Sequence, residues 1–136
     1  MKTMEEVLGA HGVEIPAHLE AQAEVPVVTG AQRQGDVIVL PMRKGDVAGA
    51  KPVPAEGVAV VRGENGGNTH LLVAEGAVSF AAAPEREPQT LGTLVVDKNA
   101  TAFLLHPEHG GQGIGPGNYT IRRQREQADE IRLVQD

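Results

Sequence analysis

Residues 70–106 read HLLVAEGAVSFAAAPEREPQTLGTLVVDKNATAFLLH, and this stretch decides the fold class. It holds four short apolar runs: His70–Ala74, Ala77–Ala82, Thr93–Val96 and Ala102–His106. Glu75-Gly76, the Pro- and charge-rich segment Ala83–Gln89 and a polar stretch after Asp97 separate them. Apolar runs this short, punctuated by turn residues every ~8–12 positions, are strands rather than helices. The same text extends both ways, with Val25–Val28, Asp36–Met42 and Val58–Arg62 upstream and Tyr119–Gln124 and Ile131–Val134 downstream. The expectation is an all-β domain, a compact barrel or a two-sheet sandwich. Val37-Ile38-Val39-Leu40 is apolar throughout, so both its faces are expected to be covered, by a second sheet, an arm or another subunit. Gly115-Pro116-Gly117-Asn118 has type II turn chemistry, and Glu64-Asn65-Gly66-Gly67-Asn68 reads as a hairpin connection. Gly45–Glu56 has no periodicity and reads as a loop.

Residues 1–24 differ. Met4, Val7 and Leu8 fall at i, i+3 and i+4, the apolar face of a short helix. Thr3 suits its N-cap, and Glu5 and Glu6 stand in the first turn, where the helix dipole favours anions. Gly9 and Gly12 limit it to about two turns. A second helical piece is expected from Pro16 to Glu24, with Leu19 and alanines as a thin apolar face. The domain reading is therefore a helical N-terminal arm over 1–24 and a single β domain over 25–136.

Composition bounds the function. Val, Leu, Ile and Phe make up 34 of the 136 residues, enough for a folded core. Aromatics are limited to Phe80, Phe103 and Tyr119, so no base-stacking platform exists. A net charge of −6 argues against nucleic acid and against an anionic membrane surface. No apolar run reaches the ~18–20 residues of a membrane helix, and the first residues lack the order of a secretory signal. The absence of cysteine removes disulfides, thiolate catalysis and thiolate zinc sites. A cytoplasmic chain, or one assembled into a particle made in the cytoplasm, is the simplest expectation.

Histidine carries the candidate chemistry. His11 and His18 belong to the arm and read as structural or solvent-exposed. His106-Pro107-Glu108-His109-Gly110-Gly111 leaves a strand end, and His70 opens a strand directly after Gly67-Asn68-Thr69. If both turns lie at the same end of the fold, His70, His106 and His109 line one pocket mouth. They then form a candidate ligand set for a divalent transition metal, with Glu108 as the carboxylate behind them. The bland alternative is three ordinary strand-end histidines. A second cluster is Arg122, Arg123 and Arg125. Tyr119, Ile121, Arg123 and Arg125 share a strand face, which makes either an anion or ion-pair site or an edge strand whose arginine stems cover apolar surface. The glycine-rich run Gly110–Gly117 leads into a strand and so is not a phosphate loop. The sole serine, Ser79, lies in an apolar strand, which argues against a serine hydrolase.

Three motifs recur together: Gly66-Gly67-Asn68-Thr69-His70, then His106-Pro107-Glu108-His109-Gly110, then Pro116-Gly117-Asn118-Tyr119 through Arg122-Arg123-Gln124-Arg125-Glu126. On these motifs residues 58–136 resemble a family of small, mostly uncharacterised bacterial and phage β proteins. Relatives in that family carry Gly-His-x-His in the first motif, and Asn68 stands here in place of the first histidine. The resemblance implies a compact β fold and groups His70, His106 and His109 as one site. It brings no activity with it.

The functional expectation is a non-enzymatic structural or interaction module. It would be homo-oligomeric, most simply a dimer or trimer, with a protein partner in a larger assembly such as a phage-like particle. The rival reading is a cupin-like metal-binding protein or small metal-dependent enzyme built on the three β-region histidines.

Overall fold

The computed structural model describes residues 2–15, 19, 21–42, 49–62, 69–83 and 89–124. Helix α1 (Met4–Ala10) is followed by β1 (Val27–Val28), β2 (Gln32–Gln34), β3 (Val37–Pro41), β4 (Lys51–Pro52), β5 (Val58–Val61) and β6 (His70–Glu75). The remaining strands are β7 (Val78–Ala82), β8 (Thr90–Val96), β9 (Thr101–His106), β10 (Gly110–Ile114) and β11 (Gly117–Arg123). They form two sheets, of order β1-β10-β9-β6-β5 and β2-β3-β11-β8-β7-β4.

The fold is all-β and a sandwich; the barrel alternative does not hold. Each sheet keeps two edge strands, so neither ladder closes on itself. At the corner where the chain passes from β1 to β2, side chains bridge the sheets: Gln32 Nε2 donates to Gly113 O at 3.2 Å, and Gln112 Nε2 donates to Gln32 Oε1 at 3.0 Å.

The sheets enclose an aliphatic core including Val37, Val39, Leu72, Leu94, Leu104, Ile114 and Ile121, all fully buried. A second core lies on the outer face of the five-stranded sheet. There Met4, Val7 and Leu8 of α1 and Val25 pack on Val73, Phe103 and Leu105. Alternation explains the division, because Leu72 and Leu104 point inward while Val73, Phe103 and Leu105 point outward under the arm. Thr3 caps α1 in a capping box with Glu6. The arm thus covers a sheet of its own chain.

The structure adds three elements to the sequence reading and removes one. Strands β2, β4 and β10 carry too few apolar side chains to show a strand pattern. In β10, glycine serves close packing: a Cβ at Gly113 would lie 2.6 Å from Val27 Cγ2 and 2.9 Å from Pro26 O, closing the slot β1 occupies. The second helix is not formed over its described residues. Ala21 and Ala23 instead accept backbone hydrogen bonds from Glu5 and Met4, and Glu24 bridges to Thr3. The expected strand at 131–134, the hairpin connection at 64–68, His18 and Arg125 lie outside the described residues. No helix among the described residues is long and apolar enough to cross a membrane.

Candidate functional site

His70 begins β6 and His106 ends β9, and these strands are antiparallel neighbours with Leu71 opposite Leu105. Both histidines point into the sandwich, and both are buried, at 3% exposed. His109 sits in the β9–β10 turn and is exposed. The three rings pack together, the His70 and His109 planes within 13° of parallel and the His106 ring tilted by 39° to each. Centroids are 4.3 Å apart for His70–His106, 4.5 Å for His106–His109 and 6.4 Å for His70–His109. The structure therefore brings the three histidines to one end of the sandwich.

Two residues without a sequence signal complete the cluster. Gln34, 1% exposed, points inward from β2. Its Nε2 donates to Leu104 O at 2.8 Å and Gly110 O at 3.2 Å, tying one sheet to the β9–β10 hairpin of the other. Its Oε1 then faces His70 Nδ1 at 2.9 Å, and since only the ring can supply the proton, Nδ1 donates. Asp36 follows in the β2–β3 turn. Its Oδ1 lies 3.4 Å from His70 Nε2, and its Oδ2 accepts from Arg123 Nε at 2.9 Å. Gly35 between them has φ +59°, and a Cβ there would meet His109 Nε2 at 2.9 Å. The left-handed turn and the space for His109 both call for glycine.

His106 is committed differently. Its Nδ1 accepts from the backbone N–H groups of Glu108 (3.0 Å) and His109 (3.2 Å), which places the proton of a neutral ring on Nε2. Glu108 thus meets His106 through its main chain, and its side chain is exposed.

Burial sets the electrostatics. It pushes His70 down to about 4, helped by the neighbouring His106 and His109 rings and opposed by Asp36. Burial pushes the Asp36 carboxyl up, but the Arg123 hydrogen bond and charge outweigh it, and the net displacement is downward. Arg122 does not join the cluster: it lies across from Ile38 of β3 and Thr90 of β8.

This arrangement does not gather three imidazoles around an ion. His106 Nδ1 is held by two amides and His70 Nδ1 by Gln34. Among the described residues no group of three or more His, Asp or Glu side chains is disposed to hold a metal. What the cluster does as it stands is join the two sheets and fix the β9–β10 turn.

A family described as a domain of unknown function (DUF8820) matches residues 33–124. The chain belongs to this family. No curated protein and no solved structure matches it. The DUF8820 region begins within β2 and ends just past β11, so it contains Gln34, Asp36, His70, His106, His109 and Arg123. Helix α1 and β1 precede the DUF8820 region, so the cover over Val73, Phe103 and Leu105 comes from outside it.

Proposed function

We propose that this protein is a non-enzymatic interaction module that self-associates and serves as a component of a larger assembly. The observation that carries this reading is strand β1. It is an edge strand of the five-stranded sheet, and its side chains Val27 and Val28 are 42% and 41% exposed. They are the exposed large hydrophobic residues among those described. An apolar edge strand offers unpaired backbone groups and apolar contact together, which is the surface a second chain extends. The polar cluster supports the same reading, because Gln34, His70 and His106 spend their hydrogen bonds on the protein's own backbone and on each other.

Light scattering coupled to size-exclusion chromatography tests it. The expected result is a dimer or trimer at micromolar concentration, shifted toward monomer by Val28→Lys, since lysine on an edge opposes strand addition. A wild-type chain that stays monomeric overturns the reading.

A further inference from the structure

Strand β1 turns one side to β10 and the other to solvent, and its hydrogen bonds fix which backbone atoms stand on each side. Pro26 O accepts from Gly113 N and Val28 O accepts from Gly115 N, both at 2.8 Å. In a planar trans peptide the carbonyl and the following amide point opposite ways. The N–H groups of Val27 and Thr29 therefore point away from β10. The parallel ladder, with Val28 opposite Ile114, turns the Val28 N–H toward β10 and so the Val27 C=O outward. These three outward groups have no partner among the described residues.

The open stretch has definite ends. Val25 N donates to Lys2 O at 2.8 Å, so the arm closes the edge at Val25. Past Ala31 the chain enters β2 and the other sheet. Between these ends Pro26, Val27, Val28, Thr29, Gly30 and Ala31 are all exposed. The run Val25–Gln32 carries no charge, so it lacks the lysines and glutamates that guard natural sheet edges. Glu24 stands before the run and Arg33 after it.

We propose that β1 pairs antiparallel with β1 of a second copy, about a two-fold axis through Val28, joining two five-stranded sheets into one continuous sheet. This rests on the self-association proposed above and gives it a surface, a register and a symmetry.

Three arguments select this occupant. The first is register. With the axis at Val28, Thr29 N–H of each copy donates to Val27 O of the other, so outward groups meet outward groups. With the axis at Val27, Thr29 of one copy would face Val25 of the other, where Lys2 already sits. The second is packing. Val28 shares the sheet face of Ile114, which is fully buried in the main core, so Val28 against its own copy extends that core across the axis. A two-fold contact uses each residue twice, which a stretch this short needs. The third is charge. Copies that each carry −6 repel except where they are uncharged, and Val25–Gln32 is uncharged. Antiparallel pairing turns the end bearing Glu24 toward the end bearing Arg33 of the other copy, whereas parallel pairing would set like charges together.

The test uses the full chain, which has no cysteine of its own. A directly opposite pair without hydrogen bonds has Cα atoms about 4.5 Å apart, within disulfide reach. Val28→Cys should therefore give a covalent dimer in oxidised glutathione, seen by electrophoresis without reductant. Val27→Cys should stay unlinked, because its two copies lie diagonally, about 7–8 Å apart. In wild type, amide exchange of Val27 and Thr29 should slow by about tenfold or more between dilute monomer and concentrated dimer, while that of Val28, already bonded to β10, changes little. Should Val28→Cys weaken the dimer, this exchange decides. A wild-type dimer whose Val27 and Thr29 amides exchange at the monomer rate overturns the pairing and leaves self-association standing. Preferential linking of Val27→Cys overturns the register, and a trimer overturns the two-fold axis. A wild-type chain that stays monomeric overturns self-association and the pairing together.

Discussion

Gln34 and His70 come from opposite sheets and share a 2.9 Å hydrogen bond between Gln34 Oε1 and His70 Nδ1. This pair is one of the polar links between the two sheets, at one end of a mainly apolar interior. A sandwich held by apolar contact alone leaves the relative position of its sheets weakly specified, since hydrophobic burial is non-directional. The Gln34 amide adds direction, because each of its atoms has one geometry that satisfies its partners.

Replacing Gln34 with Ala tests that link. The change would strand the His70 Nδ1 proton and take away the second hydrogen bond accepted by the ladder carbonyls of Leu104 and Gly110, at a site where Gln34 itself is 1% exposed. A buried donor left unpaired costs ~1–3 kcal/mol, so a loss of about 2 kcal/mol is expected. Urea denaturation measures it, and a loss below about 1 kcal/mol would show that the link is dispensable.

Arg123→Met gives the contrasting outcome. The Arg123–Asp36 bond is short, at 2.9 Å, but the side chains are 45% and 40% exposed. Exposed ion pairs contribute ~0–1 kcal/mol, so the variant should lose about 0.5 kcal/mol, and less in high salt. A loss above about 2 kcal/mol in the same denaturation series would mean the pair is effectively shielded from solvent.

Acid should destabilise the protein in a window set by His70. Its folded value lies at about 4 against an ordinary 6.5, so the unfolded chain takes up a proton first as the pH falls. The stability of the neutral, buried ring is fully present above 6.5 and is lost between 6.5 and about 4. The slope approaches ~1.4 kcal/mol per pH unit and the total is on the order of 3 kcal/mol. Asp36, shifted downward, acts lower: its contribution is present above 3.8 and fades as the pH drops through its folded value. Melting temperatures across this range should fall in wild type and flatten in His70→Gln. An unchanged slope in His70→Gln would assign the effect elsewhere.

The strands with apolar text were legible in the sequence because burial wrote them. Val37–Pro41, His70–Glu75, Val78–Ala82 and Thr101–His106 all supply core side chains. Gly110–Ile114 was not legible, because its work is to let β1 and the arm approach, and glycine leaves no hydrophobic period. The meeting of His70 and His106 was within reach: one opens a strand, the other closes the next strand of similar length in its sheet, and antiparallel pairing sets them side by side. Gln34 and Asp36 were beyond reach, since their roles depend on which strand of the second sheet faces that end. Strand alternation sets Arg123 on the face of Ile121, and its described carboxylate is Asp36, in the turn that precedes the neighbouring strand β3.

The last expectation concerns the arm. Leu8 is fully buried between α1 and the outer face of the five-stranded sheet, within the cluster of Met4, Val7, Val25, Val73, Phe103 and Leu105. A helix of seven residues is unstable alone, so its packing and its cap must hold it. Leu8→Ala removes most of that contact and should cost about 2–4 kcal/mol if the arm folds with the sandwich. Thr3→Ala removes the cap and should cost about 1 kcal/mol. Hydrogen exchange distinguishes a cooperative arm from a loosely docked one. In the cooperative case the amides of α1 are protected in wild type as strongly as those of β9. In the loose case the α1 amides exchange fast in wild type, and Leu8→Ala leaves the denaturation midpoint in place.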